Sequence, residues 1–230
     1  MARLLLTQDV FLLAHDDETG KNTASIALDG ALSAALLLDL AERELIDVVD
    51  DDVVATGATI EDPLLVDALA AITGDDKTRD VGHWLYQLPR KVKPLGKRVG
   101  ASLVEQGILA EEQGKTLGIF PTTRWPERDP APEQELRAEL HDTLLGDREP
   151  SARVLMLVAV LHQSQLIDKA FEKSDRKQAR ARAEALAKQA ESSDAVSHAV
   201  GESIRATQAA VMATIIASTA ASTVFIATSN

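Results

Sequence analysis

Residues 81–104 carry Arg90, Lys91, Lys93, Lys97 and Arg98 and no aspartate or glutamate. The whole chain has a formal net charge of −12, so everything outside this window sums to −17. Tyr86, the only tyrosine, and Trp84, one of two tryptophans, lie in the same stretch. Clustered cations on an acidic chain, with aromatic side chains beside them, are suited to binding an anion. The ligand classes are a phosphate head group, a nucleic acid or an acidic protein face. The negative remainder disfavours nucleic acid, where affinity rests on neutralising phosphates.

Other chemistry has little support. His15, His83, His141, His162 and His198 are scattered without metal-ligand spacing. There is no cysteine, which excludes disulfides, thiolate metal sites and cysteine nucleophiles. No nucleophile elbow, P-loop or dinucleotide-binding glycine motif is present. Asp16-Asp17-Glu18 and Asp50-Asp51-Asp52 lack the alternating ligands of a calcium loop and read as acidic turns. The expectation is a non-enzymatic protein with no cofactor and no metal site.

The elements that must position the cations read as mostly helical. Apolar residues make up 45% of the 230 but aromatics only 3%, so leucine, alanine, valine and isoleucine must fill the core. Thr7 is placed to cap a short helix ending at Leu13, before an acidic turn to Gly20. A helix is expected over 28–43, with Leu32, Ala35, Leu36 and Leu40 on one stripe. A hairpin follows over 45–55, turning at Asp50-Asp51-Asp52. Asp62 and Pro63 form a helix start, and that helix runs to about Ile72.

Pro94 suits a first helical turn. A helix should therefore start near it, with Arg90, Lys91 and Lys93 in the segment entering it. Leu95, Val99 and Leu103 are its buried stripe, and Gly96 and Gly100 allow a close neighbour. Unpaired amides at that helix start would add to the five cations in a phosphate site. Equally, the cations can pair with the protein's own acidic surface, within a chain or between subunits.

That helix should end at Gly107. A second hairpin is expected over 111–125, turning at Gly114-Lys115. Ile119, Phe120, Arg124 and Trp125 on this hairpin either touch a membrane or partner, or pack on the core. Both blocks run helix then hairpin, a weak internal echo compatible with a winged-helix-like nucleic-acid binder. Residues 125–132 hold three prolines and form the best candidate for an internal linker. Beyond it, helices are expected at about 133–145, 151–165, 166–190 and 195–227. The mixed charges of 169–191 should form a solvated face. Residues 209–227 are uncharged but hold Thr214, Ser218, Thr219, Ser222 and Thr223, which leaves a buried bundle helix or a membrane tail open. The N-terminal apolar run is broken by Gln8 and Asp9 and does not read as a signal peptide. The predicted fold is mainly α: a single compact helical domain over 1–230 with two short β-hairpins.

Read in order, several stretches resemble the Golgi phosphoprotein 3 family. Residues 5–13 and the turn 16–20 are similar to its first helix and acidic glycine turn. Residues 31–43 resemble its second helix. The run 103–109, with the hairpin through Phe120, Thr122, Thr123 and Pro126, is similar to its most recognisable stretch. Residues 154–171, with Leu161-His162-Gln163-Ser164 and Ala170-Phe171, resemble a later core helix. The resemblance implies a peripheral membrane protein, cytoplasmic, binding phosphatidylinositol 4-phosphate in a basic pocket. It also implies a membrane-facing hairpin and recruitment of the cytoplasmic tails of membrane enzymes.

The family's pocket uses a tryptophan before the second helix, an arginine within it, and two arginines in the basic segment. The first two fall near Ala24 and Ser33, and the basic pair near Lys93 and Gly96, with Lys97 able to substitute. The alanine-rich, cysteine-free composition suggests a bacterial member. The resulting expectation is an anionic phospholipid or phosphoinositide bound through Arg90, Lys91, Lys93, Lys97 and Arg98. A homo-oligomeric scaffold or adaptor without lipid binding is the alternative.

Overall fold

The computed structural model describes residues 3–24, 27–116, 120–191 and 206–227, with side chains for all of these except 115–116, 120–121, 188–191, 206 and 218–227. In chain order the elements are α1 (Leu6–Leu13), α2 (Ala27–Glu42), β1 (Ile46–Val49), β2 (Asp52–Ala55), α3 (Pro63–Thr73), β3 (Arg79–Asp80), α4 (Val81–Lys91), α5 (Leu95–Glu105), β4 (Glu112–Thr116), β5 (Phe120–Arg124), α6 (Ala131–Leu144), α7 (Ala152–Gln163), α8 (Arg176–Glu191) and α9 (Ala206–Ala227). This is the mainly α, single-domain architecture expected, with two small antiparallel sheets.

The core is built around α2. Every residue from Ala31 to Ala41 is buried, because α1, α3, α4, α5, α7 and α9 all pack on this helix. A helix apolar on nearly all sides has no solvent face to offer. The expected stripe of Leu32, Ala35, Leu36 and Leu40 is buried, and so is the rest of the circumference.

α1 is also buried throughout, and Thr7 is not its cap. Asp39 of α2 accepts from the amides of Leu6 and Thr7 at 2.8 and 2.9 Å and from the Thr7 hydroxyl at 2.6 Å. A carboxylate from a neighbouring helix thus satisfies the first-turn donors that a local cap normally takes. Gln8 adds a bond from its Nε2 to Ser102 Oγ, tying α1 to α5.

The first hairpin forms as expected. Asp50 and Asp51 take φ of 50° and 69°, the pair of positive values that a two-residue hairpin turn with the strands' twist requires. Asp52 belongs to the strand, opposite Val49. β3, too short to stand out in sequence, pairs with β2 and widens this sheet to three strands. Asp62 caps α3 through the amides of Leu64 and Leu65.

Three helices end in one way. The residue after the C-cap takes a positive φ, and two backbone bonds close the last turn. At α5 that residue is Gly107, as expected, but at α2 and α7 it is Glu44 and Gln165. The expected helix over 166–190 is interrupted. Residues Ile167–Lys169 form a single 3₁₀ turn before α8 begins at Arg176. α8 has the solvated face its charges predict, yet buries Ala179, Ala183, Leu186 and Ala187. α9 packs on α2, α4, α7, α8 and β1 and buries Val211, Met212, Ile215 and Ile216. Among the described residues no helix is long and apolar enough to cross a membrane.

Candidate functional site

The basic segment is not a loop leading into a helix. Arg90 and Lys91 form the last turn of α4. Asp80 caps that helix, accepting from the His83 amide at 2.6 Å. Val81, Trp84 and Leu88 form its buried stripe, with Trp84 1% exposed. Pro89 stands inside the final turn, and the helix ends two residues later at Lys91. Cations at the end of a helix complement its dipole. The readable signal was Asp80 followed by apolar residues at i+1, i+4 and i+8.

The opposite face of α4 meets solvent. Tyr86 is 61% exposed. Arg90, one turn further, lays its guanidinium 3.6 Å from the Tyr86 ring centroid and donates to the Tyr86 carbonyl oxygen at 2.5 Å. Lys91 and Lys93 are exposed. Among the described residues none of Arg90, Lys91 and Lys93 makes an ion pair.

α5 follows Pro94 as expected, and Leu95, Val99 and Leu103 are its buried stripe. Its cations are engaged. Lys97 Nζ lies 3.8 Å from Glu111, just before β4. Arg98 lies 2.5 Å from Asp67 of α3 and also donates to the Pro63 carbonyl. Among the described residues the island therefore divides into three cations without an ion pair, at and just after the end of α4, and two intramolecularly paired ones on α5.

The second hairpin lies within its expected bounds but does not turn at Gly114-Lys115. Gly114 and Lys115 are strand residues, opposite Thr122 and Pro121. Ile119 lies outside the described residues, and Phe120 is described in its backbone only. Arg124 is half-buried. Trp125 is 6% exposed and packs on the core. Its indole lies flat on Gly100, where a Cβ would stand 2.7 Å from a ring carbon. Phe11 meets it edge-on at 6.0 Å. Gly100 thus allows the close approach its sequence suggested.

Residues 125–132 are not a free linker either. The Trp125 amide donates to Gly20, Glu127 to Asp17, and Arg128 to Ile108, while Ala110 donates to Pro126. These bonds suture the segment between the 15–20 turn and the α5 exit.

Of the positions implied for the lipid pocket, Ala24 and Ser33 are both buried, and Ser33 Oγ donates to the Trp84 carbonyl oxygen at 3.3 Å. A family model described as Golgi phosphoprotein 3 (GPP34) matches residues 6–207. The chain belongs to the Golgi phosphoprotein 3 family. No curated protein matches it.

Two charged networks lie elsewhere in this Golgi phosphoprotein 3 family member. Arg153 of α7 bonds Asp9 at 2.6 Å, Glu42 at 3.2 Å and the Leu4 carbonyl oxygen at 2.6 Å. Burial raises the Asp9 carboxyl to about 7, despite the guanidinium beside it. Asp39 is likewise raised by burial. In the second, Arg137 of α6 serves Glu133 at 2.5 Å, Asp17 at 3.4 Å and the Lys169 carbonyl oxygen at 3.0 Å. Glu133 is raised to about 7 by burial, with Asp17 and Glu127 adding repulsion against the pull of Arg137.

A groove of about 670 Å³, whose lining includes Leu4, Asp9, Arg43, Leu136 and Arg153, runs along α1, α6 and α7. None of the island's cations line it. His15 is buried and stacked on Phe11 at 4.0 Å. Burial lowers its pKa, against the opposite pull of its bond with the Phe11 carbonyl oxygen. No three His, Asp or Glu among the described residues are grouped to hold a metal ion.

Proposed function

We propose that this protein is a peripheral, non-enzymatic module that docks on anionic phospholipid surfaces through the α4–α5 corner. The observation that carries the reading is the set of exposed cations Arg90, Lys91 and Lys93, without an ion pair among the described residues, on a chain of net charge −12. Family membership supports it. Each cation near an anionic membrane contributes about 1 kcal/mol, so three give roughly 2–3 kcal/mol, and binding is weak, reversible and salt-sensitive. Lys97 and Arg98, already paired, contribute less. The contact of Lys97 with Glu111 sets the corner beside the start of the second hairpin, so both can face one surface. Because Ala24 and Ser33 stand where the family's pocket has tryptophan and arginine, the ligand is an anionic surface in general. Discrimination for phosphatidylinositol 4-phosphate is then slight, since a lysine lacks arginine's bidentate fork.

The test is co-sedimentation with vesicles of phosphatidylcholine alone, with phosphatidylserine, and with phosphatidylinositol 4-phosphate, at low and moderate salt. Pelleting with both anionic compositions that falls with salt is expected. A chain that stays in the supernatant under every condition would sink the reading. A gel shift at low salt should stay negative.

A further inference from the structure

The exposed face of α4 holds one residue that charge attraction does not use. Tyr86 stands opposite the buried Trp84 and Leu88 on the helix circumference, and its hydroxyl has no partner among the described residues. Large apolar side chains this exposed are few in the described structure: Val49, Val66 and Tyr86. Of these, only Tyr86 belongs to the unpaired cation cluster.

The guanidinium of Arg90 covers one side of its ring at 3.6 Å. A tyrosine with an apolar ring, a wet hydroxyl and a cation stacked on one face has the composition that settles at the boundary between lipid head groups and acyl chains. We infer that the Tyr86–Arg90 stack is an interfacial anchor. Tyr86 enters the bilayer to the level of the acyl-chain boundary while Arg90, Lys91 and Lys93 hold the lipid phosphates around it. The inference rests on the lipid-docking reading and specifies its occupant: the acyl–head-group boundary of an anionic bilayer, as opposed to a soluble phosphate or an acidic protein. Charge complementarity selects the lipid sign, and the ring supplies the reason for insertion that lysines lack.

Fluorescence of the full chain tests this directly. Trp84 and Trp125, the natural tryptophans, are both buried and should not respond to membrane. The Tyr86→Trp variant, mixed with phosphatidylcholine–phosphatidylserine vesicles, should show a blue-shifted emission that brominated acyl chains quench. The Tyr86→Ala variant should bind the same vesicles roughly three- to tenfold more weakly at an unchanged Tm, with Tyr86→Phe close to the parent. If the parent pellets with anionic vesicles but the Tyr86→Trp emission neither shifts nor is quenched, the anchor is overturned and the electrostatic reading survives. If the parent does not pellet at all, both fall. A Tyr86→Trp shift produced by an acidic soluble protein, without one from vesicles, would overturn the anchor in favour of a protein partner.

Discussion

Arg98 and Asp67 form a 2.5 Å ion pair that removes one cation of the basic island from service as an anion receptor. A guanidinium held by a carboxylate of another helix offers little to a passing phosphate. Lys97 is compromised in the same way by Glu111, at a longer 3.8 Å.

Two double charge reversals should therefore behave differently. Lys91→Glu with Lys93→Glu is expected to abolish vesicle pelleting and leave the urea midpoint unchanged. Lys97→Glu with Arg98→Glu is expected to lower stability by about 1 kcal/mol, as loss of part-exposed pairs does, while retaining most binding. Equal loss of binding in both pairs would show that the island acts as one undivided patch.

Gly100→Ala should destabilise the protein by about 1–2 kcal/mol. A helix interior normally favours alanine over glycine. The added Cβ would meet three Trp125 ring carbons at 2.7–2.8 Å, and the indole has Phe11 behind it. Urea unfolding followed by tryptophan emission reads both the midpoint and the displaced indole. A stabilised variant would mean the indole moves aside freely.

Stability should fall as pH rises from about 5 to about 7. Asp9 and Glu133 have folded-state pKa values of about 7, above their ordinary 3.8 and 4.5. Each therefore binds its proton more tightly folded than unfolded. The stabilisation is complete below the ordinary values and is lost as pH rises through 7, with a slope of about 1 kcal/mol per pH unit per group. Asp16, whose carboxyl is lowered by its bonds from Thr19, works in the opposite sense and loses its contribution as pH falls below its ordinary value. Thermal melts between pH 4 and 8 should be highest at about pH 4 and fall toward about pH 7, as the same linkage requires. Glu133→Gln should flatten the upper limb. A melt that rises steadily to pH 8 would contradict this.

Asp39→Ala should cost about 3 kcal/mol or more, because the Leu6 and Thr7 amides and the Thr7 hydroxyl would be buried without acceptors. Hydrogen exchange at those two amides should accelerate before the rest of the core does. Unchanged protection would mean another acceptor replaces the carboxylate.

How far the sequence could be read depended on whether a feature was local. Asp62 with Pro63, the Asp50-Asp51 turn and the Gly107 stop are each written within a few residues, and each appears where expected. α4 is announced only by Asp80 and the apolar spacing after it, and Pro89 leaves it just two residues to run. The stops at Glu44 and Gln165 were illegible because a left-handed non-glycine residue has no compositional sign. Gly100 announced a close neighbour, but its partner Trp125 is set by folding of the hairpin between them. The candidate site was half legible. The five cations were evident, whereas the pairing of Lys97 and Arg98 depends on Glu111 and Asp67, brought near only by tertiary packing.

The cap that Asp39 places on α1 bears on how the chain is made. α1 is eight residues long, too short to hold its shape alone in water. Its first amides wait for a carboxylate 32 and 33 positions downstream. During synthesis α1 should therefore leave the ribosome unstructured and set only once α2 has followed it out. Although translated before α2, α1 would then not fold ahead of it, and a nascent chain stalled before α2 has emerged should still be open to protease across residues 6–13.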